Sequence, residues 1–373
     1  MTSALIKPNL AQATSAAQLK ADLIARGVRY ALPSFVDLHG VCKAKAGPID
    51  HLESMARGSE LFTGAALDGV PQKISDDEVA ALPDLSSATV LPWKPDTVWF
   101  ASSPQLEGSP FDACSRTILS RVQDQAAALG LRFNLGIETE FFALRRDENG
   151  ELMPASAGDT LAKPCCDLRG LLDNFDWMDE LVQAMNGLGW GVYSFDHEDG
   201  NGQFETDFGY ADGLVTADRV TFFRLMAREI CRNHGLIASL MPKPFANRTN
   251  MLRIPGAGSR VECRAADSAC NPYLAAAMLL AAGLEGISEG LDPGEPNLVN
   301  AYQLSEEELS KRGITTLPRT FSEAIEAFAA DPLSRQVFGD AMASAYVAFK
   351  RDEWSSYHGA ISDWETKRYL ELF

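Results

Sequence analysis

Gly136-Ile137-Glu138-Thr139-Glu140-Phe141-Phe142, read together with Asp196-His197-Glu198-Asp199-Gly200-Asn201-Gly202-Gln203-Phe204-Glu205, places four glutamates on two short segments. Residues i and i+2 of a β-strand share a face, so Glu138 and Glu140 project together. Phe133, Leu135 and Ile137 before them, and Phe141 and Phe142 after them, supply the apolar, branched and aromatic setting of a strand. Two like charges one strand repeat apart repel unless something positive lies between them. A hard dication such as Mg²⁺ or Mn²⁺ meets that need, because it prefers oxygen ligands and leaves room for water and phosphate oxygens. Glu138-x-Glu140 alone is equally compatible with two glutamates on a solvated strand face. The second segment tips the balance. Glu198 and Glu205 bracket a Gly-Asn-Gly turn, which lets the chain reverse and brings both acids toward one point. His197, flanked by Asp196 and Glu198, reads as a hydrogen-bonding or substrate-facing residue in preference to a metal ligand.

The bulk numbers narrow the classes. At 373 residues the chain has room for two domains, and 46% hydrophobic with 23% charged residues is ordinary for a globular protein with a sizeable core. A net charge of -18 without any Lys/Arg cluster argues against nucleic acid or an anionic membrane surface as partner. No apolar run is long enough to span a membrane, and the N-terminus lacks the charged-then-apolar order of a secretion signal, so a cytoplasmic setting is expected. The seven cysteines are scattered without a C-x-x-C pair, which argues against a disulfide framework or a zinc knuckle. Cys165-Cys166 is the one adjacency, and reduced, small, apolar fillers are the expected role of most of the seven.

Outward from the acidic segments, Val28 to Asp37 alternates like a strand, turns at His39-Gly40 and returns through Val41 to Ala46, which predicts a hairpin. Residues 1 to about 20 read as a helix or a loose lead-in. Strand signals recur at Ala88 to Leu91 and Thr97 to Ala101. The spacing of Ile118, Val122, Ala126 and Leu129 predicts a helix from Phe111 to Leu129, stopped by Gly130. A domain boundary is placed just before it, near Pro104 to Pro110. Helices are predicted over Trp177 to Leu188 and over Thr216 to Asn233, the second capped by Thr216 or Asp218. Short strands are expected at Ile237 to Leu240 and Val261 to Arg264. Asn271-Pro272 opens an Ala-rich helix through Leu284, and Phe321 to Ala329 and Arg335 to Arg351 are the clearest helices of the C-terminal third.

A further cluster carries the opposite charge. Arg248, Arg253, Arg260 and Arg264 fall in one stretch with Glu262, and on a strand Glu262 and Arg264 face the same way. Guanidinium forks bind carboxylates and phosphates in bidentate fashion, so the group suits an anionic substrate or a transferring phosphoryl group. Pairing with the chain's own 51 acids on the surface is the competing reading.

Taken together, Gly136 to Phe142, His197 to Glu205, Met241-Pro242-Lys243-Pro244-Phe245, Asn247 to Pro255, Glu262 to Arg264, Asn271-Pro272-Tyr273-Leu274 and the final Tyr346 to Phe373 resemble the glutamine synthetase family, nearly end to end. The branch they resemble is that of type III glutamine synthetases and γ-glutamylmethylamide synthetases. The resemblance implies an α+β fold: an N-terminal β-grasp domain over 1–107, then a catalytic domain over 108–373 whose curved antiparallel sheet, flanked by helices, carries the metals. It implies that Glu140, Glu198 and Glu205 ligate one cation, and Glu138 and Glu262 the other, with Mg²⁺ or Mn²⁺ as the ion. Arg248, Arg253 and Arg264 resemble the catalytic arginines that hold the phosphoryl group and the glutamate carboxylate. Arg260 resembles a nucleotide-binding position and Tyr210 the aromatic residue beside adenine. The implied activity is that of an ATP-dependent ligase forming a γ-glutamyl amide through a γ-glutamyl phosphate, with ATP, glutamate and ammonia or a small amine as substrates. A ring-shaped homo-oligomer is implied as the assembly.

The chain departs from that pattern in two places. Phe245 runs directly into Ala246-Asn247-Arg248, where the family has several dozen more residues, including a histidine that ligates the second metal, a glutamate-binding arginine and a flap glutamate. The second cation would then keep Glu138 and Glu262 alone, and a catalytically impaired homologue that binds nucleotide or co-assembles with a paralogue is the alternative expectation. Phe62-Thr63-Gly64-Ala65-Ala66 stands where many members carry an Asp-Gly-Ser-Ser loop, which leaves the amine open between ammonia, methylamine and larger amines.

Overall fold

The computed structural model describes residues 15–241, 250–256 and 260–372. The first described element is the helix Ala16–Ala25, whose N-cap Ser15 accepts a hydrogen bond from the Gln18 amide at 3.2 Å. Its Leu19 and Leu23 pack with Val28, Ala31, Val98 and Phe100 against an eight-stranded sheet. In that sheet Tyr30–Val36 pairs antiparallel with Cys42–Ala44, Ser34 standing opposite Ala44, so the expected hairpin is present. The Asp37 carboxylate shapes its turn by accepting from the amides of His39 and Val41 at 2.9 and 3.0 Å. Tyr30–Val36 also runs parallel to Lys94–Leu106, which is antiparallel to Val79–Pro83. The strand expected over Thr97 to Ala101 thus extends through Pro95 and Pro104, residues that read locally as breaks.

The second sheet has five strands. Thr139–Arg146 pairs antiparallel with Gln203–Phe208, with Leu152–Pro154 and with Ile237–Ser239, while Val192–His197 pairs with Gln203–Phe208 on its other side. Burial follows the period of two. Thr139, Phe141 and Ala143 are buried, and so are Phe204, Thr206 and Phe208 on the neighbouring strand. That face packs on the helices Phe175–Gly187 and Gly213–Asn233 through Trp177, Met178, Phe222 and Phe223. Glu140, Glu205 and Asp207 are consequently left on the opposite face, only partly covered.

The helix Gly213–Asn233 starts earlier than its sequence signal, because Asp212 accepts from the Leu214 amide at 3.1 Å and acts as the cap. Neither expected cap does so. Thr216 Oγ1 donates to the Leu135 carbonyl at 2.8 Å, and Asp218 accepts from Arg116 Nε and Nη2, both at 2.9 Å, and from the Tyr273 hydroxyl at 2.8 Å. Arg116 also reaches Asp84 at 2.8 Å and Ser103 at 3.2 Å, so one buried guanidinium ties the helix Ser115–Ala128 to both the first sheet and the long helix. Asn271 caps Pro272–Glu289 and donates to the Asp37 and Leu38 carbonyls, a second tie of the same kind. Near the C-terminus the single helix expected over Arg335 to Arg351 is two, Pro332–Phe338 and Asp340–Gly359. They are separated by Gly339 at φ +77°, a backbone conformation that ends a right-handed helix and suits glycine.

Candidate metal centre

The turn between Val192–His197 and Gln203–Phe208 is built from its glycines. The Glu198 amide donates to the Gln203 carbonyl and the Gln203 amide to the Gly200 carbonyl, each at 2.9 Å. Gly202 adopts φ +77°, and a Cβ there would lie 3.1 Å from the Ala143 carbonyl oxygen. Beneath the turn His197 is wholly buried at 0% exposure, with Nε2 2.7 Å from Asp159 Oδ2 and Nδ1 2.8 Å from the Glu198 carbonyl oxygen. Asp159 also accepts from Asn201 Nδ2 at 2.8 Å and from the Gly202 amide at 2.5 Å. Burial pushes its carboxyl up, yet the hydrogen bonds from Asn201, His197 and Gly202 outweigh it and hold the group below its ordinary value. His197 is therefore the hydrogen-bonding residue of the two readings, and a latch under the turn in place of a group facing substrate. Asn201 was visible as the centre of the Gly-Asn-Gly turn, whereas Asp159 carries no signal in the sequence that would have singled it out.

Above the latch the strands set the acids in rows. Glu140 stands opposite Glu205, which in turn stands opposite Asp196; continuing the register by one step puts Glu138 opposite Asp207. Ligand atoms of Glu138, Glu205 and Asp207 all lie within 4.8 Å of one another, and this is the one such group among the described residues. Glu205 is pushed up to about 10 by burial, by a hydrogen bond with Glu198 and by the charges of Asp207, Glu138 and Glu140. Asp207 is pushed up to about 6 by burial and by Glu138, and Asp196 is raised by burial and by Glu198. The structure thus brings Glu138, Glu140, Glu198 and Glu205 together, and adds Asp207, which the sequence reading passed over. Its signal was available: Glu205-Thr206-Asp207 repeats the i, i+2 spacing of Glu138-Thr139-Glu140.

The donor set fits a hard divalent cation. Every candidate ligand is a carboxylate oxygen, and Asp207 Oδ1 is shut off from solvent without a hydrogen-bond partner, an arrangement that a positive ion would satisfy. Glu140 is additionally held by Gln203 Nε2 at 2.5 Å.

The arginine cluster forms a two-stranded ribbon, Leu252–Arg253 with Glu262–Cys263, in which Arg253 stands opposite Glu262. Arg253 Nη1 donates to Glu262 Oε2 at 2.7 Å, and Arg264 Nη1 donates to Oε1. Burial pushes the Glu262 carboxyl up, but these two guanidinium hydrogen bonds prevail and hold it below its ordinary value. Glu262, expected beside Glu138 as a ligand, is outside the Glu138, Glu205 and Asp207 group. Arg260 approaches the acidic face: Tyr193, raised by burial and by Asp207 and Glu138, is lowered in turn by the Arg260 charge. Tyr210 is 73% exposed at the end of Gln203–Phe208, its Cβ 3.6 Å from where a Cβ on Gly136 would stand. Arg248 and the junction after Phe245 lie outside the described residues. The seven cysteines are all free, and Cys165 and Cys166 Sγ are 3.5 Å apart.

A curved antiparallel sheet with helices behind it, acids on its open face and an arginine ribbon beside them defines a class of fold and site that known proteins share. The model of the family described as glutamine synthetase, catalytic domain, matches residues 112–247 and 245–369, and the chain belongs to the glutamine synthetase family. The glutamate–methylamine ligase of Methyloversatilis universalis is 31% identical to it over 93% of this chain and 97% of that protein. The glutamine synthetase of Rhizobium leguminosarum bv. phaseoli is 31% identical over 93% and 98%. Among solved structures, a GmaS complex with ADP superposes with a TM-score of 0.87 at 32% identity, covering 94% of this chain and 99% of that one. Apo GmaS does so with 0.85 at 32% identity, covering 95% and 99%. The α+β fold with its glutamine synthetase-type sheet is that of these neighbours, the enzyme class of the relatives is that of ligases, and ATP and divalent-metal binding are typical of the family. No helix among the described residues is long and apolar enough to cross a membrane.

Proposed function

We propose that the chain is an ATP-dependent carboxylate–amine ligase that forms a γ-glutamyl amide, glutamine from glutamate and ammonia in the first instance. The observation that carries this reading is the convergence of Glu138, Glu140, Glu198 and Glu205 on one sheet face in a chain of this family. A carboxylate is a poor acyl donor, because its leaving group would be oxide. Transfer of the ATP γ-phosphoryl group to the glutamate γ-carboxylate makes that oxygen part of a phosphate leaving group; the amine then attacks the carbonyl carbon, phosphate departs and the nitrogen gives up a proton. Divalent Mg²⁺ or Mn²⁺, when bound, supplies charge neutralisation for phosphoryl transfer. Glu140, Glu198 and Glu205 would hold one such ion, with Glu138 at the other. Arg253 and Arg264, with Arg248, have the fork geometry for the phosphoryl group and the substrate carboxylate, and Glu262 holds two of these guanidiniums in place. Tyr210 is exposed as an adenine-stacking residue has to be, and Arg260 is assigned to the nucleotide.

The reading includes a β-grasp domain over 1–107, a catalytic domain over 108–373 and a ring-shaped homo-oligomer in a cytoplasmic setting. A second reading, an impaired homologue that binds nucleotide or co-assembles with a paralogue, draws support from two observations. Alignment with the methylamine ligase runs over 432 positions yet uses 93% of a 373-residue chain, and the two matched family segments meet at 245–247. Glu262, moreover, spends both carboxylate oxygens on arginines.

The deciding experiment follows phosphate release and, by mass spectrometry, amide product across ammonia, methylamine and larger amines. The ligase reading requires release that depends on glutamate, Mg²⁺ and amine together, and the amine giving product names the substrate. ATP binding and ring assembly without any amide establish the impaired homologue. Absence of nucleotide binding overturns both.

A further inference from the structure

We propose that Cys165 and Cys166 are an oxidisable vicinal dithiol, a modification site that a hydroperoxide converts to a disulfide and that in doing so loosens the turn carrying Glu198. The inference stands apart from the ligase reading. Of the seven cysteines these two alone are exposed, and their Sγ atoms are 3.5 Å apart. Burial pushes the thiols of Cys42 and Cys270 up to about 11 and that of Cys231 up to about 12, and it raises Cys114 as well, which keeps these four protonated and inert.

The backbone sets the pair in place. The Asp167 amide donates to the Pro164 carbonyl at 2.9 Å, closing a turn with Cys165 and Cys166 at its centre. Cys166 has φ +59°, a left-handed conformation that the second central residue of a type II turn adopts and that glycine or asparagine ordinarily supplies. A thiol stands there instead. The Cys166 amide donates to the His197 carbonyl at 2.7 Å, and Cys166 Sγ lies 3.7 Å from Asp196 Oδ2. The thiol turn is thus fastened to the end of the strand Val192–His197, directly before Glu198.

Cys165 is pushed up to about 11, first by its hydrogen bond with Cys166, then by burial and by the charges of Cys166, Glu198 and Asp199. It is therefore the resolving thiol, and Cys166 reacts first. The Cys166 thiol loses its proton to solvent and the sulfur attacks one peroxide oxygen; the O–O bond breaks, hydroxide leaves and a sulfenic acid forms. The Cys165 sulfur then displaces the hydroxyl group from that sulfur, which departs as water with the Cys165 proton as the S–S bond closes. Two thiols are oxidised while one peroxide is reduced to water. Consecutive Cα atoms stand about 3.8 Å apart across a trans peptide, below the roughly 4.4–6.8 Å of ordinary disulfides, so closure shifts the Cys165–Cys166 backbone and with it the hydrogen bond to His197.

The test treats the purified, fully reduced chain with hydrogen peroxide and maps the products by intact and peptide mass spectrometry. The chain should lose two hydrogen atoms, both from the peptide that holds Cys165 and Cys166. Cys165→Ser should instead leave a sulfenic acid on Cys166 that dimedone traps, and Cys166→Ser should slow oxidation of Cys165 at least about tenfold relative to the wild-type pair. Hydrogen exchange over 196–205 should be faster in the oxidised chain, and dithiothreitol should restore the reduced rate. A Cys165–Cys166 peptide that keeps both thiols while other cysteines oxidise, or that passes to sulfinic acid without a disulfide, overturns the proposal. A disulfide that forms yet leaves exchange over 196–205 unchanged overturns the link to the Glu198 turn, and a Cys166→Ser chain oxidised at the wild-type rate overturns the order of attack.

Discussion

His197 Nε2 and Asp159 Oδ2 lie 2.7 Å apart beneath the Glu198-Asp199-Gly200-Asn201-Gly202 turn, with the histidine fully buried. The pair fixes the backbone that carries Glu198 and Glu205, since Asp159 also takes the Asn201 side chain and the Gly202 amide, and His197 takes the Glu198 carbonyl. Asp159→Asn keeps the shape but loses the charge that these donors face, so it should lower unfolding free energy by about 1–3 kcal/mol. Urea unfolding monitored by tryptophan fluorescence measures this. Mn²⁺ affinity should fall with it, and an unchanged affinity would show that the latch does not position the acids.

Arg116 provides a larger effect. Removing one partner of a buried ion pair leaves an uncompensated charge, and Arg116→Ala strands Asp218 in the interior beside Tyr273. Loss of about 3–5 kcal/mol is expected. Equilibrium denaturation reads it, and a cost below about 1 kcal/mol, the scale of exposed pairs, contradicts the buried-pair assignment.

Divalent cations should stabilise the protein more strongly as pH rises. Without them, Glu205 at about 10 and Asp207 at about 6 lie above their ordinary values of 4.5 and 3.8. A carboxyl raised on folding binds its proton more tightly in the folded state, so its contribution is present below the unfolded value and is lost as pH rises through the folded one. The Asp207 contribution therefore fades between 3.8 and about 6, and that of Glu205 between 4.5 and about 10. Cations bind the deprotonated acids and relieve the repulsion. Thermal melts with EDTA and with Mg²⁺ should diverge as pH increases from about 5 to about 9; parallel curves are the outcome that sinks this prediction.

Two glycines separate conformational strain from collision. Gly339 has φ +77° and ψ 155°, a region essentially reserved to glycine, and open space around its missing Cβ, so Gly339→Ala should cost about 1–3 kcal/mol from backbone strain alone. Gly202 shares that φ but a Cβ there meets the Ala143 carbonyl oxygen at 3.1 Å, so Gly202→Ala should cost more and should also weaken Mn²⁺ binding. Comparing the two melting temperatures and the two Mn²⁺ titrations checks both points; a Gly202→Ala protein that binds Mn²⁺ like wild type separates the turn from the site.

What was legible in the chain had short range. The period of two put Glu138 with Glu140 on one face, the Gly-Asn-Gly turn brought Glu198 back toward Glu205, and Asn271-Pro272 marked a helix start that the structure retains. These are properties of neighbours along the backbone, where a few dihedral angles decide the outcome. The motifs taken together were also enough to point to the family. Other relations belong to the tertiary structure alone. Asp159 meets His197 across 38 residues and Arg116 meets Asp218 across 102, partnerships that no local pattern encodes. Local pattern also favoured Thr216 or Asp218 as a helix cap, but burial drew Asp218 to Arg116 and left capping to Asp212. Glu262 was expected from sequence as a metal ligand, and the ribbon register that sets Arg253 opposite it brings the Arg253 and Arg264 guanidiniums onto its carboxylate, a relation that only the folded ribbon creates. Asp207 became a member of the acidic group for the same reason: antiparallel pairing fixes which carboxylates face each other across the ladder, and that register follows from the packing of the whole sheet.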